Sequence, residues 1–185
     1  MKLPRIAVIA ALVIVVAVAT VAVFTANGHT NRPTHNSADV MFAQMMIPHH
    51  QQAIEMADMA LKPSRHASVE LRNLATEMKS AQTTEVATLT QLLGQWGEPN
   101  SMHHNGETMD GMLSNDELAA LVEQQGPAFD ASWARAMISH HRGAIAMAQD
   151  VATSGVNRKV RQLARDMVKA QRNEIAVLQR IVGSR

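Results

Sequence analysis

An all-α protein is what this sequence predicts: a four-helix bundle made of two tandem helix hairpins, preceded by an N-terminal transmembrane or signal helix. Three observations carry that prediction. The first is an internal repeat. The stretch Met46-Ile47-Pro48-His49-His50-Gln51-Gln52-Ala53-Ile54-Glu55-Met56-Ala57 returns 91 residues later as Met137-Ile138-Ser139-His140-His141-Arg142-Gly143-Ala144-Ile145-Ala146-Met147-Ala148, with eight of twelve positions identical. Downstream, Leu74-Ala75, Met78, Ala81-Gln82, Glu85 and Leu89 return at an offset of 89 as Leu163-Ala164, Met167, Ala170-Gln171, Glu174 and Leu178. The second is apolar spacing of the helical kind, without the alternation of a strand. The third is an almost unbroken apolar run of 19 residues, Ile6 to Phe24, behind Lys2 and Arg5. Self-similarity on this scale reads as a duplicated unit, and two long hairpins without strands read as a bundle.

The elements follow in order. Residues 1–26 are a targeting or anchoring element, whose 19-residue apolar run is long for a signal-peptide core and at the low edge of a spanning helix. An uncleaved anchor with its positive end in the cytoplasm is the first reading, and a cleaved secretory signal is the alternative. No cysteine follows, so lipoprotein processing is excluded. Residues 27–37, polar and containing Gly28 and Pro33, are a linker. The duplicated domain spans 38–183, with hairpins over 38–95 and 129–183 and a Met/His linker with a short helix over 96–128.

Within the first hairpin, Ser37 or Asp39 caps a helix running to about Leu61. Pro48 removes one backbone bond and bends that helix beside the histidine pair. Lys62-Pro63-Ser64 breaks the chain, and Ser64 caps a helix ending near Leu93-Gly94. Gln95 to Asn115 is irregular. Ser114-Asn115-Asp116-Glu117 is a capping box for a short helix to about Gln125, which Gly126-Pro127 ends. The second hairpin runs from Phe129 to Ser154, breaks at Gly155, and returns from Asn157 to Val182. Its last helix carries a basic face (Arg158, Lys159, Arg161, Arg165, Lys169, Arg172) that reads as solvated, with anionic lipid as the weaker alternative. Packing about a pseudo-twofold would bring the two histidine-bearing helices together.

Composition narrows the chemistry. Net charge is +1 and aromatic residues are 3%, with no tyrosine, so neither electrostatic pull on nucleic acid nor a stacking platform is implied. There is no cysteine, hence no disulfide, thiol nucleophile or zinc-thiolate site. Against that stand 13 methionines and 9 histidines, six of the latter in adjacent pairs. Thioether plus imidazole without thiolate suits copper. Methionine is also an ordinary core filler, and a histidine on an apolar face is usually a satisfied core residue.

Helix geometry sharpens this. His49 shares a face with Met45, Gln52 and Met56, while His50 is turned about 100° away, beside Met46. In the second copy His140 aligns with Met147 and His141 with Met137. Each copy thus offers imidazole and thioether together, a donor set for a soft ion. One histidine of each pair is expected to face the core and the other the solvent or a rim. The partner helices carry Met78, Gln82 and Glu85, and again Met167, Gln171 and Glu174, on otherwise apolar stripes. A buried carboxylate needs a partner, so Glu85 and Glu174 either orient the histidines as outer acceptors or pair with arginines. In the linker, Met102, His103, His104, Met109 and Met112 lie outside any apolar pattern and form a further soft-donor cluster.

The paired motifs, with Gly126-x-x-Phe129-Asp130 before the second, resemble the domain-of-unknown-function 305 family over about residues 38–183. That resemblance implies a ferritin-like four-helix bundle, commonly exported from bacteria and tethered or secreted, with some members linked to copper binding and resistance. The family motif positions here are Met46, His49, His50 and Met56, then Met137, His140, His141 and Met147. Ser139 stands where the first copy has Pro48, so the two half-sites need not be equivalent.

The function expected is metal binding outside the cytoplasm: copper, as Cu(I) or Cu(II), buffered or delivered through paired His and Met side chains. Its partners would be the metal ion, the membrane through the N-terminal helix, and a copper transporter or chaperone, with no nucleic acid. The alternative is a structural or interaction module with buried histidine pairs. A ferritin-like metal oxidase comes third, because that chemistry uses Glu-x-x-His pairs and the sequence contains none. His-Glu-x-x-His and Gly-x-Ser-x-Gly are also missing, so the reading leans away from an enzyme.

Overall fold

The structure, a computed structural model, describes residues 33–100 and 109–183. The described elements are α1 (Ser37–Leu61), a 3₁₀ turn (Pro63–Arg65), α2 (Val69–Trp96), α3 (Asn115–Val122), α4 (Gly126–Ser154) and α5 (Arg158–Gly183). Among the described residues there is no strand, and no helix is long and apolar enough to cross a membrane. The apolar run at 6–24 and the Met102-His103-His104 cluster lie outside the described residues.

Local chemistry explains each boundary. Asn36, not Ser37 or Asp39, caps α1: its side chain accepts the Asp39 amide, and Asp39 accepts the Asn36 amide in return. The expected cap Ser64 is instead inside the 3₁₀ turn that Pro63 opens, and His66 leaves that turn in the left-handed region. Ser68 therefore caps α2, which continues to Trp96 and ends on Gly97 at φ 73°. Ser114 and Glu117 form the expected capping box, although α3 stops at Val122. Gly126-Pro127 begins α4 rather than ending α3, because a proline in the first turn gives up only a donor that lacks an acceptor there anyway. The Asn157 side chain accepts the Lys159 and Val160 amides at the start of α5. Pro48 sits inside a helix that runs on through it.

The two hairpins, α1/α2 and α4/α5, pack along their lengths, and α1 meets α4 across the bundle, while α2 and α5 meet sparingly. Small side chains allow the α1/α4 approach. Ala43, Ala53 and Ala57 and their repeat partners Ala134, Ala144 and Ala148 are all buried.

Two buried aspartates lock the hairpins. Asp39, at the start of α1, accepts the Val156 and Asn157 amides in the α4–α5 turn, each at 3.0 Å. Asp130, its repeat partner at the start of α4, accepts the Ser68 amide in the α1–α2 turn at 3.2 Å. Each histidine helix thus begins against the far end of the other, which makes α1 and α4 antiparallel.

The core divides at mid-height. One apolar cluster holds Met56, Leu71, Met78, Phe129, Trp133, Met137 and Leu178. The other holds Phe42, Met46, Leu89, Leu93, Val160, Ala164 and Met167. Buried polar side chains, His49, His50, Gln82, His140, His141 and Gln171, belong to neither.

Removing the clasp tests this arrangement. Asp39→Ala strips the acceptor from three backbone amides, and a loss of about 3 kcal/mol is expected from urea unfolding. The exposed Glu77→Ala should stay within about 0.5 kcal/mol of the parent.

Candidate metal centre

All four motif histidines are buried, at 0 to 1% exposure. The sequence expectation that one of each pair would face solvent or a rim is therefore corrected. The cause is that α1 and α4 each have neighbours on two sides. His49 and His140 point across the α1/α4 interface, where their ring centroids are 3.8 Å apart. His50 and His141, turned by about one residue's rotation, point into their own hairpins. There His50 Nε2 lies 2.9 Å from a Glu85 carboxylate oxygen, and His141 Nε2 donates to Glu174 at 2.6 Å. The His50 contact has an ion pair's distance without a hydrogen bond's alignment. Glu85 and Glu174 thus meet histidines, not arginines.

The linker segment that follows residue 108 closes over the centre. The Asp110 carbonyl accepts from His49 Nε2 at 3.3 Å. The Gln52 side chain accepts the Leu113 amide and donates to the Leu113 carbonyl, both at 2.8 Å. Gly143, the repeat partner of Gln52, has no side chain because a Cβ there would overlap the Asp110 carbonyl. Gly111, at φ 84°, passes against Ser139 and His140 backbone. The strap 110–113 therefore depends on where the two copies differ, Gln52 on one side and Gly143 on the other.

One feature unites the four imidazoles. Every Nδ1, in His49, His50, His140 and His141, is buried without a hydrogen-bond partner. His140 Nε2 and the Oε1 atoms of Gln82 and Gln171 are in the same condition. A buried polar atom left unpaired costs about 1–3 kcal/mol, so several in one layer demand an occupant or a purpose. In His49, His50 and His141, with Nε2 turned to a carbonyl or a carboxylate, Nδ1 keeps the lone pair that a metal would take.

Electrostatics keeps two of these rings neutral. Burial, then the neighbouring His50, lowers the His49 pKa to about 3. Burial, then the facing His49, lowers that of His140 to about 2. Neutral imidazole is the metal-binding form.

The predicted methionines divide by location. Met46, Met56 and Met137 are fully buried, and Met78 and Met167 nearly so, in the clusters above and below the histidine layer. Met45 and Met147 are only half-buried and line a surface cavity. Met109 and Met112 are half-buried, Met112 in a shallow cavity of about 320 Å³ under the strap. Among the described residues no three His, Asp or Glu side chains converge as a ligand set.

Sequence reading missed Asp39 and Asp130 as hairpin locks and Asp110 as the acceptor for His49. The 91-residue offset held the first signal, because Asp39 and Asp130 obey it. Nothing in the sequence announces a backbone carbonyl from the linker.

The profile of the family described as Domain of unknown function (DUF305) matches residues 39–182. Solved structures agree. A DUF305 fragment from Deinococcus radiodurans is 31% identical, with a TM-score of 0.75, covering 83% of this chain and all of that one. A secreted-protein DUF305 structure from Streptomyces coelicolor, described as putative in its own naming, is 30% identical with a TM-score of 0.71, covering 77% and 90%. CopM in its Cu(I)-bound form is 32% identical with a TM-score of 0.65, covering 77% and 93%. CopM has also been solved with Cu(II) and with Ag. No curated protein matches.

The neutral histidines make stability pH-dependent in a known direction. The unfolded chain protonates His49 and His140 near 6.5, whereas the folded chain resists until about 3 and about 2. Protons thus favour the unfolded state across that window, and stability falls as pH drops below 6.5, by up to about 1.4 kcal/mol per pH unit for each group. Urea midpoints measured at about pH 7.5 and about pH 5.5 should show this loss. The chain carrying His49→Gln and His140→Gln should lose much less over the same interval.

Proposed function

Because the chain belongs to the DUF305 family, we propose that it binds copper outside the cytoplasm, buffering the ion or passing it on. The observation that carries this reading is the layer of four buried imidazoles, each with an unpartnered Nδ1, between two methionine-bearing half-cores. His49 and His140 are the first ligands, since they are neutral, face each other, and belong to different hairpins. Met46, Met56 and Met137 supply thioethers close by in sequence and in the adjoining core. His50 and His141, held by Glu85 and Glu174, complete the donor set. Bound copper would satisfy orphaned nitrogens that the protein leaves bare, and soft donors would favour its reduced form. CopM, similar over most of its length and solved with copper and silver, supports the choice of ion.

The N-terminal apolar run would hold this domain at the outer face of a membrane, or direct its secretion. Export agrees with the Streptomyces relative's description as a secreted protein. A copper transporter or chaperone at that surface is the natural exchange partner. The Met102, His103, His104, Met109 and Met112 linker would add further soft donors.

A second reading has its own observation. The two imidazoles of His49 and His140 are packed at contact distance, and His50 and His141 each meet a glutamate, as in a structural polar layer. Under that reading no metal binds and histidine replacements change stability alone.

A Cu(I) competition titration of the full chain in detergent against a chromophoric chelator, with Zn(II) as control, separates the two. Tight Cu(I) uptake is expected, weakened at least about tenfold by His49→Gln with His140→Gln while circular dichroism stays helical. Absence of uptake by the parent chain would favour the structural layer.

A further inference from the structure

The α1/α4 groove carries a surface cavity at one end. Met41, Met45 and Met147 line a single surface cavity of about 460 Å³, together with Asp150. Met41 is 49% exposed, so this side of the cavity is open to solvent.

The register of the two helices explains the convergence. His49 and His140 mark the level at which α1 and α4 cross, and the helices run antiparallel. At about 1.5 Å per residue, Met41 stands about 12 Å before His49 and Met45 about 6 Å before it. Met147 stands about 10 Å beyond His140, and the antiparallel arrangement brings it to the same end of the groove. Met147 therefore falls between Met41 and Met45 in height. On α1 the two methionines are four residues apart and share a face. Repeat symmetry does not require this trio. Met147 corresponds to the fully buried Met56, while the repeat partners of Met41 and Met45 are Ser132 and Ala136. On α1 and α4 the Met41, Met45 and Met147 thioethers thus gather at one end of the groove.

We propose that Met41, Met45 and Met147 form a surface capture site for a soft monovalent cation, Cu(I) or Ag(I), leading along the α1/α4 groove to the buried histidines. Three thioethers select a soft ion over Zn(II), Mg(II) or Ca(II). The Asp150 carboxylate, exposed on the cavity wall, adds attraction for any cation without selecting among them. The choice of ion rests on the copper reading, but the site does not require the buried histidines to be ligands.

The test labels methionine methyl groups of the full chain with carbon-13 and titrates Ag(I), a redox-inert probe, in detergent. The Met41, Met45 and Met147 methyl signals should shift in the first additions, assigned through single leucine replacements. Met41→Leu with Met45→Leu and Met147→Leu keeps side-chain volume, and should lose one equivalent of Ag(I) while remaining helical. The chain carrying His49→Gln and His140→Gln should keep that equivalent. If Ag(I) binds elsewhere while these three methyl signals stay unmoved, the capture site is overturned and the buried-histidine reading stands. If the chain takes up no Ag(I) at all, both fall.

Discussion

Four imidazoles buried in the middle of a helical bundle, with His49 and His140 held neutral, set the terms for the rest of this molecule. A protonated His49 or His140 would face both desolvation and the other's ring at 3.8 Å. The surroundings follow from that constraint. Alanines at 43, 53, 57, 134, 144 and 148 bring α1 and α4 close enough for His49 and His140 to touch. Glu85 and Glu174 reach in from the partner helices to hold the other two rings. The apolar core splits into an upper and a lower half because this layer cannot join either.

The duplication supplies the layer, and departures from the duplication give it direction. Asp39 and Asp130 obey the repeat, and each fastens its own helix to the opposite hairpin's turn, so the crossing level of α1 and α4 is fixed at both ends. Gln52 and Gly143 break the repeat. One grips the linker strap through two hydrogen bonds and the other makes room for its backbone, so the strap covers the histidines on a single side. Met41 and Met45 break it too, leaving thioethers at one open end of the groove. A symmetric scaffold thus carries one closed side and one soft-donor entrance.

Much of this was legible in the sequence. The 91-residue repeat located the histidine helices, their hairpin partners and the pseudo-twofold pairing, because a duplicated amphipathic unit has few ways to bury its apolar face. Period alone could not say that both histidines of each pair are covered. It gives the angle between His49 and His50 but not how many neighbours surround the helix. Capping residues misled by a few positions, since Ser64 and Ser68 are equally good caps and only the 3₁₀ turn at Pro63 decides between them. Met45 and Met46 looked alike as neighbours of the pair, and burial separates them. The Asp110 carbonyl over His49 was illegible, since linker backbone leaves no side-chain signal.

The central claim is that the bare nitrogens of this layer, with nearby sulfur, are metal donors. Copper K-edge X-ray absorption of the full chain loaded with Cu(I) and desalted tests it most directly. The account predicts retained copper with both nitrogen and sulfur as nearest neighbours, and loss of imidazole scattering in the His49→Gln, His140→Gln chain. Copper that washes out on desalting, or retained copper surrounded by oxygen alone, would contradict it.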